Sequence, residues 1–97
     1  MPYVAVTSWK TKSADVDLDA NWKKVQGQFV PALKALGAVH VMGIQTSERE
    51  SIMVVTYPDK ATRDQAQTKI MEMRKSATTD MQLELTSEVA GEIKAHG

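Results

Sequence analysis

Few of the 97 residues carry side chains that do chemistry, and His40 is the first to consider. It stands in an otherwise apolar run, Ala38 to Thr46 (AVHVMGIQT). A free imidazole titrates near neutral pH, so such a group can move a proton or hold a polar atom. A second strand-like run, Ser51 to Tyr57 (SIMVVTY), follows Ser47, Glu48, Arg49 and Glu50, a polar connection of hairpin length. Pairing of Ser47 with Glu50 across that turn sets Ile44 opposite Met53, Met42 opposite Val55 and His40 opposite Tyr57. An imidazole and a phenol are then expected on one face. Tyr3 begins a strand whose start lies at the same sheet end as Tyr57, so three polar-tipped rings converge. Trp9 closes that first strand at the other end, where an indole lines a pocket, a dimer contact or the core. The expected ligand-binding set is His40, Tyr57, Tyr3 and Trp9, against the plainer reading that each is a packed or hydrogen-bonded strand residue. No catalytic residue is assigned.

Other chemistries find little support. There is no cysteine, which removes disulfides, thiolate metal sites and cysteine nucleophiles. The second histidine, His96, is next to last in a tail. One strand histidine without a second His or Cys in pattern does not form a zinc or iron site, so no metal and no cofactor are expected. Asp15, Asp17 and Asp19 alternate but lack the spaced glycine and distal glutamate of a calcium loop. No phosphate-cradling glycine loop or serine elbow is present. Twelve Lys plus Arg balance twelve Asp plus Glu, which argues against nucleic-acid and anionic-membrane partners. Lys69, Arg74 and Lys75 read as part of a solvated helix face. No apolar run approaches the roughly 18 residues of a membrane span, and the N-terminus opens on a strand pattern, so a cytoplasmic protein is expected.

The elements that position these residues follow from periodicity. Tyr3 to Trp9 is β-branched and aromatic and reads as a strand, with a polar loop over Lys10 to Asp17. From Leu18 onward, Leu18, Trp22, Val25, Phe29, Leu33 and Leu36 recur at alternating spacings of three and four, one stripe of a helix. Asp17 or Asp19 caps its start and Gly37 suits its end, while Pro31 predicts a kink near Gly27 to Pro31. Pro58 and Asp59 end the third strand and start a second helix, Lys60 to about Ala77, with the thin stripe Ala66, Ile70, Met73 and Ala77. Met81 to Val89 alternates as a half-buried strand.

Strand, helix, strand, strand, helix, strand over residues 1–97 predicts a single α+β domain of ferredoxin-like βαββαβ order. Its four-stranded antiparallel sheet has order 4-1-3-2 and carries both helices on one face. The first three strands are apolar on both alternating sets, and two helices cover only one side. A homodimer is therefore expected in which the uncovered sheet faces pack together and bury more than ~1,200 Å².

The helix-one stretch FVPALKALGA entering the second strand, and VVTYPDKATRDQAQ leading from the third strand into the second helix, resemble the dimeric α/β-barrel superfamily. That group includes antibiotic-biosynthesis-monooxygenase-like proteins and many small uncharacterised members, and the likeness spans nearly the whole chain. Its haem-degrading branch uses an Asn on an early strand with a Trp and a His at the second helix; Tyr3 to Trp9 contains no Asn, and Lys60 to Thr79 contains neither Trp nor His. The resemblance implies a small dimer of uncharacterised function that binds a small organic molecule. The alternative it implies is a cofactor-independent monooxygenase, isomerase or lyase acting on a small aromatic or polyketide-like compound. Whether the chain is an enzyme is left open by its residues.

Overall fold

The first strand, β1 (Tyr3–Thr11), alternates toward and away from the interior, with Ala5, Thr7, Trp9 and Thr11 buried on one side. The computed structural model describes residues 1–97. After β1, Asp17 in extended conformation accepts the Ala20 N–H at 3.0 Å, which satisfies one of the free amides at the start of α1 (Leu18–Lys24). A π-helical turn over Val25–Phe29 leads into α2 (Val30–Ala35) without leaving helical backbone angles. This wide turn is the irregularity expected near Pro31. Proline offers no N–H and crowds the turn before it, and the π turn, closed by the Val30 N–H on the Val25 carbonyl, makes room for its ring.

Gly37 ends the helix at φ 107°, a left-handed conformation that needs no Cβ. The Gly37 N–H then donates to Lys34 and the Ala38 N–H to Leu33, the pair of bonds that closes a Schellman turn. The chain enters β2 (His40–Gln45) and returns in β3 (Glu50–Tyr57). Here the hairpin register differs from the expectation by one residue. Thr46 donates to the Glu50 carbonyl and Gln45 pairs with Ser51, so the turn holds three residues, Ser47, Glu48 and Arg49. The cause is the Ser47 hydroxyl, which accepts the N–H groups of Arg49 and Glu50, at 3.4 and 3.1 Å. A two-residue turn would pair that Glu50 amide with Ser47's carbonyl instead. In the resulting register His40 faces Thr56, Met42 faces Val54 and Ile44 faces Ile52. A slip of one residue moves a whole side-chain set to the other face.

Asp59 caps α3 (Lys60–Gln65) by accepting from both the amide and the hydroxyl of Thr62, and α4 (Gln67–Thr79) follows after a break at Ala66. The expected single second helix is thus two pieces. The last strand, β4 (Leu83–Glu92), runs beyond the predicted Val89, pairs with β1 throughout, and carries a register shift at Ser8/Trp9. The sheet order is β2-β3-β1-β4 with all pairs antiparallel, the predicted topology.

Only 15 of the 97 residues are buried, and ten of them form two hydrophobic clusters. One joins Leu33, Ala38, Val55, Tyr57, Ala66 and Ile70; the other joins Trp9, Ala77, Met81 and Leu83. Both lie between the sheet and the helices. The opposite sheet face has no cover: the register places His40, Met42 and Ile44 beside Thr56, Val54 and Ile52, then Val4, Val6 and Ser8, with Val89 next to Val6. Met42, Ile44 and Val89 are all exposed.

Candidate functional site

Where the two core clusters meet, the layers do not close completely, leaving a cavity of about 100 Å³. The sheet supplies Ala5, Thr7 and Trp9 from β1 and Ser51, Met53, Val55 and Tyr57 from β3. The first helical segment supplies its apolar stripe, Leu18, Trp22, Val25, Phe29 and Leu33, so the stripe that packs on the core also walls the cavity. Trp22 closes one side. Its ring lies against Gly43, where any Cβ would come within 2.5 Å of it, and its Nε1 donates to Gln45 Oε1 at 2.9 Å. Trp9 is fixed by donating Nε1 to Thr7 Oγ1 at 2.8 Å. Asn21 binds the Met81 carbonyl at 3.0 Å and ties α1 to the start of β4.

Fifteen of the twenty lining residues are hydrophobic, and the charged ones are Arg63 and Arg74. Arg74 holds Glu88 of β4 with both guanidinium nitrogens, one of them at 3.1 Å from Oε1. Arg63 stands 3.8 Å from the same carboxylate and donates to Gln67 Oε1. Tyr57, 1% exposed, completes this polar end. Tyr57 lines the cavity beside these two arginines, and its hydroxyl makes none of the side-chain hydrogen bonds of the chain. Burial raises the Tyr57 pKa above that of a free phenol, against the opposing pull of Arg63 and Arg74. It therefore stays a donor at neutral pH.

The hydrogen bonds from Arg74 hold the Glu88 carboxyl below its usual range, partly opposed by burial. A carboxyl with a depressed folded pKa contributes stability above its unfolded value, 4.5, and loses it as pH falls through the folded value. Wild-type protein is accordingly expected to weaken in acid from about pH 4.5 downward more steeply than Glu88→Gln. Urea midpoints at pH 7 and pH 4 measure this. Equal losses in the two proteins would show that the Arg74 pair contributes nothing to folding.

The sequence-derived set is divided by the fold. Tyr57 and Trp9 line the cavity, and Tyr3 pairs directly with Tyr57 at the same sheet end but stays outside the lining. His40 does not join them. It is exposed on the uncovered face opposite Thr56, because the three-residue turn shifts β2 by one position. Arg63 and Glu88 were missed, and Arg74, expected on a solvated helix face, has a side chain only 15% exposed and lines the cavity. The available signal was spacing, since Arg63 and Arg74 fall on the same helical period as Ala66, Ile70 and Ala77, which are buried. No three His, Asp or Glu side chains converge as metal ligands, and no helix is long and apolar enough to cross a membrane.

This sheet with helices on one side is the ferredoxin-like α+β fold, and the chain shares it with solved structures along nearly its whole length. HapK from Hahella chejuensis is 20% identical with a TM-score of 0.79, covering 98% of this chain and 95% of its own. A dimeric ferredoxin-like protein from an uncultured marine organism is 14% identical with a TM-score of 0.71, covering 100% and 98%. A protein of unknown function from Nitrosomonas europaea is 15% identical with a TM-score of 0.66, covering 100% and 94%. The chain therefore shares the ferredoxin-like α+β fold of these proteins. No protein-family model matches it, and comparison with curated proteins finds no match.

Proposed function

We propose that this protein binds a small organic molecule in the cavity between its sheet and helices and works as a homodimer. The observation that carries the reading is the cavity itself: about 100 Å³, apolar over most of its wall, with Tyr57, Arg63 and Arg74 gathered at one end. Binding sites commonly combine an apolar lining with a few polar groups that fix orientation. An engineered cavity of roughly 150 Å³ holds benzene. The space here suits one small ring, and Met53, Met73 and Met81 give the wall flexible side chains that adapt to an occupant.

The dimer reading rests on the uncovered sheet face, whose apolar residues have no partner within the chain, and on likeness to proteins described as dimeric. Binding is favoured over catalysis because the lining contains no Asp, Glu or His to serve as a general base. The cofactor-independent oxygenase, isomerase or lyase reading draws support from the same polar end, since a guanidinium and a phenol stabilise an enolate or phenolate formed by an acidic substrate.

Native mass spectrometry of the freshly purified protein is expected to detect a bound compound. Ala77→Leu, which fills the cavity from α4, is expected to lose it while remaining folded. Retention of the same compound by Ala77→Leu would place binding elsewhere. A protein that carries no compound, and whose melting temperature no single-ring compound raises, would overturn the reading.

A further inference from the structure

The charged end of the cavity indicates what an occupant carries, an inference that rests on the cavity being a binding site. Arg63 and Arg74 have side chains only 10% and 15% exposed, and one carboxylate, Glu88, answers both. That carboxylate is committed to Arg74, which engages both of its oxygens. Arg63 is left 3.8 Å from one of them, beyond hydrogen-bond distance, with the neutral Gln67 amide as its bonded partner. Two guanidiniums with largely covered side chains thus share one carboxylate, itself 36% exposed. Arginine does not escape such a position by losing its proton, and Arg63, whose one counter-ion lies 3.8 Å away and is bonded to Arg74, has donors left for a further anion. No Asp or Glu lines the cavity to balance it. Tyr57 lines the same space, and its hydroxyl, which makes no side-chain hydrogen bond within the chain, supplies a second donor.

We propose that the cavity takes a small aromatic monoanion, with its oxyanion bound by Arg63 and Tyr57 and its ring against the apolar wall. Phe29, Val25 and Met53 supply that wall, Gln67 holds Arg63, and Arg74 stays with Glu88. A carboxylate and an acidic phenol or enol share this chemistry. Charge-assisted bonds from a guanidinium are about twice as strong as neutral ones, so the charge on the occupant should dominate selectivity.

Titration calorimetry with benzoate and with benzyl alcohol, its uncharged counterpart of similar size, tests the inference; 4-nitrophenolate provides the phenolate arm. Wild-type protein is expected to bind benzoate or 4-nitrophenolate at least tenfold more tightly than benzyl alcohol. Whichever anion binds more tightly identifies the oxyanion as carboxylate or phenolate. Arg63→Met is expected to lose at least tenfold for that anion while leaving benzyl alcohol unchanged. Arg63→Lys, which keeps the charge, is expected to retain most of the preference, and Tyr57→Phe to lose a few-fold. Equal binding of charged and uncharged compounds, or an anion preference that survives in folded Arg63→Met, would overturn the anion and leave the cavity as a neutral site. Binding of none of the three would overturn both readings.

Discussion

Val54→Asp is expected to turn a dimer into a folded monomer at micromolar concentration. Val54 lies in the middle of the uncovered sheet face, paired with Val6 on one side and Met42 on the other. In a chain on its own the new carboxylate reaches water, so the fold should survive with an unchanged far-UV spectrum. Across a two-fold interface the substitution counts twice, because the same patch is contributed by both subunits. Each aspartate would be desolvated against valine and methionine without a counter-charge, at a cost of several kcal/mol. Since about 1.4 kcal/mol is a tenfold change in affinity, the dimer should weaken by at least ~100-fold. Sedimentation velocity of wild type and variant reads this directly. A wild-type protein that sediments as a monomer, or a variant that remains a dimer, would remove the sheet face as the interface.

Gly37→Val should cause the larger loss of folding stability. Gly37 sits at φ 107°, where a side chain strains the backbone by roughly 1 to 2 kcal/mol. The added Cβ would also come within 2.6 Å of Thr62 Cγ2. Thr62 is poorly able to turn away, because its hydroxyl donates to Asp59 Oδ1 at 2.7 Å and its amide donates to the same oxygen at 2.8 Å. Rotating the threonine to relieve the clash breaks the cap of α3, and leaving it in place overpacks the contact, which costs about 1 to 3 kcal/mol. Together these give a loss of about 3 kcal/mol, or roughly 10 to 20 °C in melting temperature for a domain of this size. Gly27 supplies the control: it lies in the π-helical turn, and a Cβ added there would meet nothing within 4 Å, so Gly27→Ala should be neutral or stabilising by up to ~1 kcal/mol. Equal melting temperatures for the Gly37 and Gly27 variants would contradict the packing described.

The chain of elements was legible because it depends on short-range periodicity. The stripe from Leu18 to Leu36, the alternation in β1 and the caps at Asp17 and Asp59 are local patterns, each driven by burying one face or satisfying nearby amides. The order of the strands followed from those elements and from the handedness of the crossovers. The two apolar faces of the strands could likewise be read directly, since alternation assigns residues to opposite sides whichever side is covered.

What the sequence could not decide was which alternating set of β2 faced the helices, and the candidate site depended on that choice. Ser47 to Glu50 accommodates a two-residue or a three-residue turn, and one serine hydroxyl accepting two backbone amides selects the longer. That local bond moved His40 out to the uncovered face and left Tyr57 inside. Arg63 and Arg74 were hidden for a different reason. Their type suggests solvent, and only the packing of α4 against β4 and of α3 against β3 brings Glu88 close enough to hold a guanidinium against the interior. The cavity itself has no sequence signature, because it is the volume that two separately packed clusters fail to fill, and such a remainder exists only once both layers are in place.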